Sequence, residues 1–173
     1  ICWESGPNRG GNAARNRLFE LASSEWIQYL DADDYLQPHK VEQQVQFLDE
    51  NPEIDVIYSP VIMEHHVEDR VTQEVLQIPR PHDEWILLAR RYLPQTGAPL
   101  WRKQALIDVG GWKPDQPACQ EHELYLRLLM TGKKFAYFPE AGAVYRQWSE
   151  QTVCKRDKPM VRQLRMEIEQ KAE

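Results

Sequence analysis

The strongest constraint in this sequence is a short apolar run that leads directly into three carboxylates. Trp26–Leu30 is aromatic and branched, which predicts a buried β-strand, and Asp31, Asp33 and Asp34 follow it without a break. Helical patterns lie on both sides, and Ile54–Ser59 predicts another strand, so strands alternate with helices. This alternation is typical of a parallel α/β sheet.

Length and charge limit the class of protein. The 173 residues suffice for one domain with a substantial core, and the hydrophobic content of 42% excludes a disordered chain. No apolar run approaches the ~20 residues that a transmembrane helix needs. A net charge of −6 argues against a nucleic-acid partner, and an anionic ligand would need a metal ion or a local basic group.

The cysteines indicate the redox setting. Cys2, Cys119 and Cys154 are widely spaced and form no C-x-x-C pair, so neither a zinc site nor a disulfide framework is indicated. We therefore expect a reducing, cytoplasmic location.

Apolar spacing predicts the remaining elements. In the first helix, Asn12 is expected to be the N-cap, and the inward positions are Ala14, Leu18, Leu21 and Ala22. The second helix follows Pro38, with Val41, Val45 and Leu48 inward. Downstream, the sequence predicts a hairpin of Val61–His66 and Val71–Ile78, and strands at Phe135–Phe138 and Ala143–Arg146. It predicts helices at Asp83–Arg91, with Trp85, Leu88 and Ala89 inward, at Lys103–Val109 and at Glu121–Met130. A charged tail helix, Lys158–Glu173, is expected to have Val161, Leu164 and Ile168 as its apolar face.

The acidic cluster has the composition of a metal and phosphate site. Ligands of open α/β sheets bind beyond the carboxyl ends of the strands, which is where Asp31, Asp33 and Asp34 fall. Mg²⁺ or Mn²⁺ binds through one or two carboxylates and takes phosphate oxygens and water for the rest. A solvated turn is the alternative for an isolated acidic triplet. A calcium EF-hand is rejected because Tyr35 and Leu36 stand where that loop requires a ligand and a glycine.

Several motifs together resemble the family 2 glycosyltransferases of the GT-A fold. They are Asn8-x-Gly10, Ala14-Arg15-Asn16, Tyr29-Leu30-Asp31-Ala32-Asp33-Asp34, Gly110-Gly111-Trp112 and the helix Glu121-His122-Glu123-Leu124-Tyr125-Leu126-Arg127-Leu128. The resemblance implies an α/β fold with a Rossmann-like mixed sheet flanked by helices. It also implies that N-terminal strands of the family precede Ile1–Glu4, which reads as a strand.

The resemblance implies an activity and assigns residues to it. The family transfers a sugar from a nucleoside-diphosphate sugar to an acceptor hydroxyl with inversion, assisted by Mg²⁺ or Mn²⁺. Asp31 and Asp33 correspond to its D-x-D motif, with Asp33 and Asp34 nearest the metal and diphosphate and Asp31 toward the nucleotide. Arg15 falls where the family has a basic residue near the nucleotide, and a structural salt bridge to one of these aspartates is the alternative.

The catalytic base implied by the resemblance is Glu121. An acceptor alcohol is a poor nucleophile, so a nearby carboxylate removes its proton as the bond forms. The family carries Glu-Asp where this chain has Gln120-Glu121, and His122 and Glu123 are neighbouring alternatives. Because of this departure, a catalytically silent nucleotide-sugar-binding or scaffolding relative is the alternative interpretation. A nucleotidyltransferase is a third alternative.

The expected organisation is one glycosyltransferase domain, residues 1–173. We assign nucleotide-sugar binding to 1–60, the acceptor side to 61–157, and a C-terminal helix to 158–173. Thr96-Gly97-Ala98 resembles the segment that shapes the sugar and acceptor pocket, and Trp148 is a candidate for lining it. The expected acceptor is a glycan or glycolipid of bacterial surface polysaccharide synthesis, and peripheral membrane association at the inner face and a homodimer both stay open.

Overall fold

The structure, a computed structural model, describes residues 3–68, 70–147 and 158–172. Its helices are α1 (Gly11–Leu21), α2 (Lys40–Glu50), α3 (Glu84–Ala89), α4 (Lys103–Asp108), α5 (Gln120–Met130) and α6 (Lys158–Ala172). Its strands are β1 (Trp26–Ile27), β2 (Tyr35–Leu36), β3 (Val56–Tyr58), β4 (Val61–Val67), β5 (Arg70–Leu76), β6 (Leu100–Arg102), β7 (Phe135–Tyr137) and β8 (Ala143–Gln147). The predictions for Ile1, Cys2, Trp148, Cys154 and Glu173 lie outside the described residues.

The first of two four-stranded sheets has the order β1-β6-β3-β7. Strand β6 is antiparallel to both β1 and β3, whereas β3 and β7 are parallel. The mixed sheet implied by the family resemblance is therefore confirmed. The parallel sheet inferred from the order of elements is wrong, because β6 comes from much later in the chain and inserts between β1 and β3.

The second sheet has the order β2-β8-β4-β5 and contains the predicted hairpin of β4 and β5. Strand β8 pairs antiparallel with β2 and parallel with β4. Because β1 belongs to the first sheet and β2 to the second, Asp31–Asp34 forms the connection between the two sheets. Strand β2 begins directly after Asp34, whereas β1 ends at Ile27, so the predicted strand Trp26–Leu30 is shorter than expected and Leu30 is 45% exposed.

Aromatic side chains fill the core beneath this connection. Trp101 and Trp112 are 0% and 1% exposed, and their ring centroids lie 6.2 Å apart. Tyr29, from the end of the apolar run, meets Trp112 edge to face at 5.3 Å, and Tyr125 of α5 lies 5.1 Å from Trp101. Such pairs contribute about 0.5–1.5 kcal/mol beyond their burial, and they connect the segment after β1 with β6 and α5.

The inward side of α1 combines polar and apolar side chains, and the prediction is confirmed only for Ala22, which packs against the main core cluster. Leu18 and Leu21 are 58% and 44% exposed, and Ala14 is also exposed, whereas Asn12 is 3% exposed. Asn12 is not the N-cap, which is Gly10. Instead the Asn12 side-chain amide donates to the backbone oxygen of Lys113 at 2.6 Å. Apolar spacing failed here because α1 turns hydrogen-bonding side chains toward a neighbouring loop.

Helix α3 and the N-terminal residues also differ in part from prediction, whereas the tail helix α6 agrees with it. In α3, Leu88 is buried as predicted, but Trp85 is 40% exposed and Ala89 is exposed. Trp3 and Glu4 do not belong to a strand. The apolar face of α6 is as predicted, since Val161 and Ile168 are 4% and 6% exposed and join the main core cluster.

Helix α2 buries a lysine. Leu48 faces inward as predicted, but Val41 is 39% exposed and Lys40 is 2% exposed. The Lys40 ammonium donates to Oε1 of Gln28 and, at 2.7 Å, to Oε1 of Gln44. Burial lowers the pKa of Lys40 to about 7, because the charged form is poorly solvated there.

The buried lysine makes stability depend on pH. The folded-state pKa of Lys40 lies below its unfolded value of 10.5, so the free energy of unfolding should rise with pH between about 7 and 10. We measure the free energy of unfolding of wild type and of Lys40→Met with urea. We expect the difference between the two to increase by up to about 1.4 kcal/mol per pH unit. The exposed variant Lys171→Met should show no such change, and parallel curves for wild type and Lys40→Met would contradict the assignment.

Candidate active site

The side chain of Arg15 lies at the centre of the site and is 13% exposed. Its Nη2 donates to Oδ1 and Oδ2 of Asp31 at 2.9 and 3.2 Å, and its Nη1 donates to Oε1 of Gln120 at 2.7 Å. The guanidinium also lies 4.8 Å from the ring centroid of Trp112. One side chain therefore joins the acidic loop after β1 to the first residue of α5. The salt-bridge alternative for Arg15 is observed.

Helix α1 is held in this position by the loop before α5. The side chain of Asn16 accepts from the backbone amide of Trp112 at 2.8 Å and donates to its backbone oxygen at 2.7 Å. Gly111 has φ +68°, and a Cβ there would lie 2.7 Å from Oδ1 of Asn16. The motifs Ala14-Arg15-Asn16 and Gly110-Gly111-Trp112 are thus in contact, although they are far apart in sequence.

The three aspartates of the cluster have different surroundings. Asp31 faces Arg15, whereas Asp34 accepts at Oδ1 from the backbone amide of Arg146 at 3.0 Å. Asp33 is exposed, and no hydrogen bond or ion pair of its carboxylate is found among the described residues. The side chain of Arg146 donates to the backbone oxygen of Asp33, which secures the turn from the β8 side.

Asp34 is the aspartate whose ionisation is most perturbed. Burial raises the pKa of Asp34 to about 6; the hydrogen bond from the amide of Arg146 opposes this, and the charges of Asp33 and Asp31 add to it. Neighbouring carboxylates resist joint ionisation unless a cation or strong donors are close. A cation bound next to Asp34 would favour its ionised form.

The carboxylates do not converge on a complete metal cage. Within the described ranges, no group of three or more His, Cys, Asp or Glu side chains could hold a metal ion. Asp33 and Asp34 nevertheless fit Mg²⁺ or Mn²⁺, since these ions need only one or two carboxylates when water and phosphate oxygens complete the shell. The carboxylate of Asp33 is exposed and thus open to such an ion.

Glu121 lies in the first turn of α5 and belongs to the same network. Its Oε1 accepts a hydrogen bond from the hydroxyl of Thr96, and the Thr96 hydroxyl is 3.5 Å from Nη2 of Arg15. The N-terminal end of a helix favours a negative charge. Asp31, Arg15, Thr96 and Glu121 thus form a continuous chain, although sequence reasoning gave Thr96 no individual role.

The two neighbours of Glu121 have other surroundings. Glu123 is 6% exposed and forms ion pairs with Lys113 and Arg127 at 3.1 and 2.7 Å, so its carboxylate is occupied. Burial lowers the pKa of His122. Its Nε2 is buried and has no hydrogen-bond partner among the described residues.

The histidines of the hairpin pair with glutamates. Nε2 of His65 is 3.1 Å from Oε1 of Glu74, and Nε2 of His66 is 2.7 Å from Oε1 of Glu64. Glu64 also accepts from the hydroxyl of Tyr35 at 2.7 Å. Because Tyr35 directly follows the acidic cluster, the hairpin stabilises the cluster from its C-terminal side.

A groove of about 630 Å³ leads to the acidic cluster. It runs along α1 and β1, with Leu18 and Trp26 on its walls and Arg15, Asp31 and Ala32 at one end. Its volume is within the range of ligand pockets, about 300–1,000 Å³.

Residues 4–107 match the model of the family described as glycosyl transferase family 2, more than half of the chain. The chain belongs to this family. The matched range contains Arg15 and Asp31–Asp34 but ends before α5, so Glu121 lies beyond it.

Curated proteins are similar to this chain over most of its length. An uncharacterized glycosyltransferase of Haemophilus influenzae is 30% identical over 129 residues, covering 70% of this chain and 42% of the relative. The uncharacterized protein Rv1520 of Mycobacterium tuberculosis is 32% identical over 145 residues, covering 81% of this chain and 40% of the relative. The chain thus spans less than half the length of these two relatives.

Solved structures agree on the fold. TarS of S. aureus, residues 1–349, in complex with UDP-GlcNAc, matches with a TM-score of 0.67 and 14% identity, covering 86% of this chain and 42% of that chain. Identity this low bears on the fold alone. Within the described ranges, no helix is both long and apolar enough to cross a bilayer.

The raised pKa of Asp34 leads to a stability prediction. The folded-state pKa of Asp34 exceeds its unfolded value of 3.8, so its ionised form costs stability above about pH 6, and the cost disappears toward pH 4. Since Asp34 is partly solvated, we expect Asp34→Asn to raise the metal-free melting temperature at pH 7.5 by roughly 2–4 °C, a gain of about 1 kcal/mol. At pH 4 the gain should be absent.

The exposed neighbour provides a control for that prediction. Asp33→Asn should shift the metal-free melting temperature much less than Asp34→Asn. A lower melting temperature for Asp34→Asn at pH 7.5 would show that its carboxylate stabilises the turn.

Proposed function

We propose that this protein transfers a sugar from a nucleoside-diphosphate sugar to an acceptor hydroxyl with inversion at the anomeric carbon. The observation that carries the proposal is the network of Arg15, which brings Asp31 and the N-terminus of α5 together. A single inverting displacement needs a site for the diphosphate and a base on the acceptor side. The network supports both within one site.

The donor side of the proposal uses the acidic cluster. Asp33 and Asp34 would hold Mg²⁺ or Mn²⁺, which, when bound, stabilises the negative charge that develops on the leaving diphosphate. Asp31 would face the nucleotide, oriented by its two hydrogen bonds from Arg15. The groove that ends at Asp31 and Ala32 would accept the nucleoside, and UDP is the first candidate because the TarS complex contains UDP-GlcNAc.

The acceptor side of the proposal uses Glu121. Its Oε1 is occupied by the Thr96 hydroxyl, so Oε2 would accept the proton of the acceptor alcohol as the glycosidic bond forms. The C–O bond to the diphosphate breaks in the same displacement, and the electron pair leaves with the diphosphate. Within this account residues 1–60 serve the donor and residues 61–157 the acceptor.

The biological setting is also proposed. A glycan or glycolipid of bacterial surface polysaccharide synthesis is the proposed acceptor, and the proposed location is the cytoplasm, at the inner face of the membrane when the acceptor is a lipid. The apolar face of α6 packs against the core, so that face is not available to a membrane or a second subunit.

Replacement of the proposed base tests the activity. Turnover is measured as release of nucleoside diphosphate from UDP-, GDP- and dTDP-linked sugars in the presence of a glycolipid extract. We expect Glu121→Gln to lower kcat by about 10²–10⁴ because the amide cannot take the proton. Glu121→Asp, which keeps a carboxylate, should retain more turnover than Glu121→Gln.

Two results would oppose the proposal. Unchanged turnover in Glu121→Gln would remove Glu121 as the base. Binding of a nucleotide sugar by the wild type without any release of diphosphate would favour a silent nucleotide-sugar-binding relative.

A further inference from the structure

The segment that carries Thr96 is held from three elements. The side-chain amide of Gln28 donates to the backbone oxygen of Gly97 at 3.0 Å, and that of Gln44 donates to Ala98 at 3.4 Å. The hydroxyl of Tyr125 donates to the backbone oxygen of Pro94 at 2.9 Å. The position of Thr96 is therefore set by the residue that follows β1, by α2 and by α5 together, which is the rigid support that a precise site requires.

Chemistry fixes the direction of the hydrogen bond between Thr96 and Glu121. Thr96 is 3% exposed, so its hydroxyl has little access to water. Its other polar neighbour, Nη2 of Arg15 at 3.5 Å, can only donate, because a guanidinium has no acceptor. The single hydroxyl proton of Thr96 must then go to Oε1 of Glu121, and that oxygen must accept it.

We propose that Thr96 is a positioning residue that fixes the carboxylate of Glu121 against the acceptor hydroxyl. This inference rests on the proposed function, in which Glu121 is the base. Glutamate has one more rotatable bond than the aspartate typical of the family, and each free torsion weakens alignment with the acceptor. The hydrogen bond from Thr96 removes that freedom and leaves Oε2 for the proton.

Thr96→Val tests the proposal, because it keeps the branched shape and removes the hydroxyl. We expect kcat for release of nucleoside diphosphate to fall about tenfold, while KM for the donor sugar stays within about twofold, because Arg15 loses only its 3.5 Å contact with Thr96 and keeps its shorter hydrogen bonds to Asp31 and Gln120. Thr96→Ser, which keeps the hydroxyl, should recover most of the kcat. If Thr96→Val does not fold, Thr96→Ala makes the same test with a smaller side chain.

A double-mutant cycle separates this role from a general effect on the site. If Thr96 acts through Glu121, adding Thr96→Val to Glu121→Gln should change the residual kcat by less than about twofold. An equal loss in both backgrounds, an unchanged kcat in Thr96→Val, or a higher donor KM without loss of kcat would each overturn the proposal.

Failure of the inference and failure of the proposed function give different results. Full turnover in Glu121→Gln would defeat the proposed function. A loss in Glu121→Gln with none in Thr96→Val would defeat the role of Thr96 alone.

Discussion

The arrangement of the site depends on one nearly buried guanidinium, that of Arg15. A charge removed from water is costly unless it is paired and hydrogen-bonded. Arg15 meets this requirement with Asp31 after β1, Gln120 at the start of α5, and Thr96 in the loop before β6. These three residues come from separate parts of the chain. Their contacts with one guanidinium therefore bring together the residues proposed to bind the donor sugar and to take the proton of the acceptor alcohol.

The elements of the fold were largely predictable, because their apolar patterns are local. The hairpin of β4 and β5 and the apolar face of α6 are examples. The order of strands in the first sheet was not predictable from alternation, since it depends on where β6 inserts. The inward faces of α1 and α2 were predicted only in part, because Asn12 and Lys40 are buried through hydrogen bonds that a hydrophobic pattern does not register.

The same limitation applies to the candidate site. Asp31–Asp34 was identifiable because an apolar run leads into it, and Arg15 because it lies within a family motif. Thr96 was found only in three dimensions, since its hydroxyl reaches Glu121 from a loop with no helical or strand pattern of its own. Replacement of the family's Glu-Asp by Gln120-Glu121 reads in sequence as a loss, whereas in the structure Gln120 accepts from Arg15 and Glu121 from Thr96.

The binding of a nucleoside diphosphate through a metal at Asp33 is tested most directly by thermal shift. The protein is melted with UDP, GDP or dTDP, each with and without Mn²⁺, alongside Asp33→Asn and the exposed control Asp49→Asn. At a hundredfold excess over Kd, we expect one nucleotide to raise the melting temperature of wild type and of Asp49→Asn by about 5 °C or more. This increase should require Mn²⁺, and it should be absent in Asp33→Asn. The same shift in Asp33→Asn, or none with any nucleotide, would contradict the account.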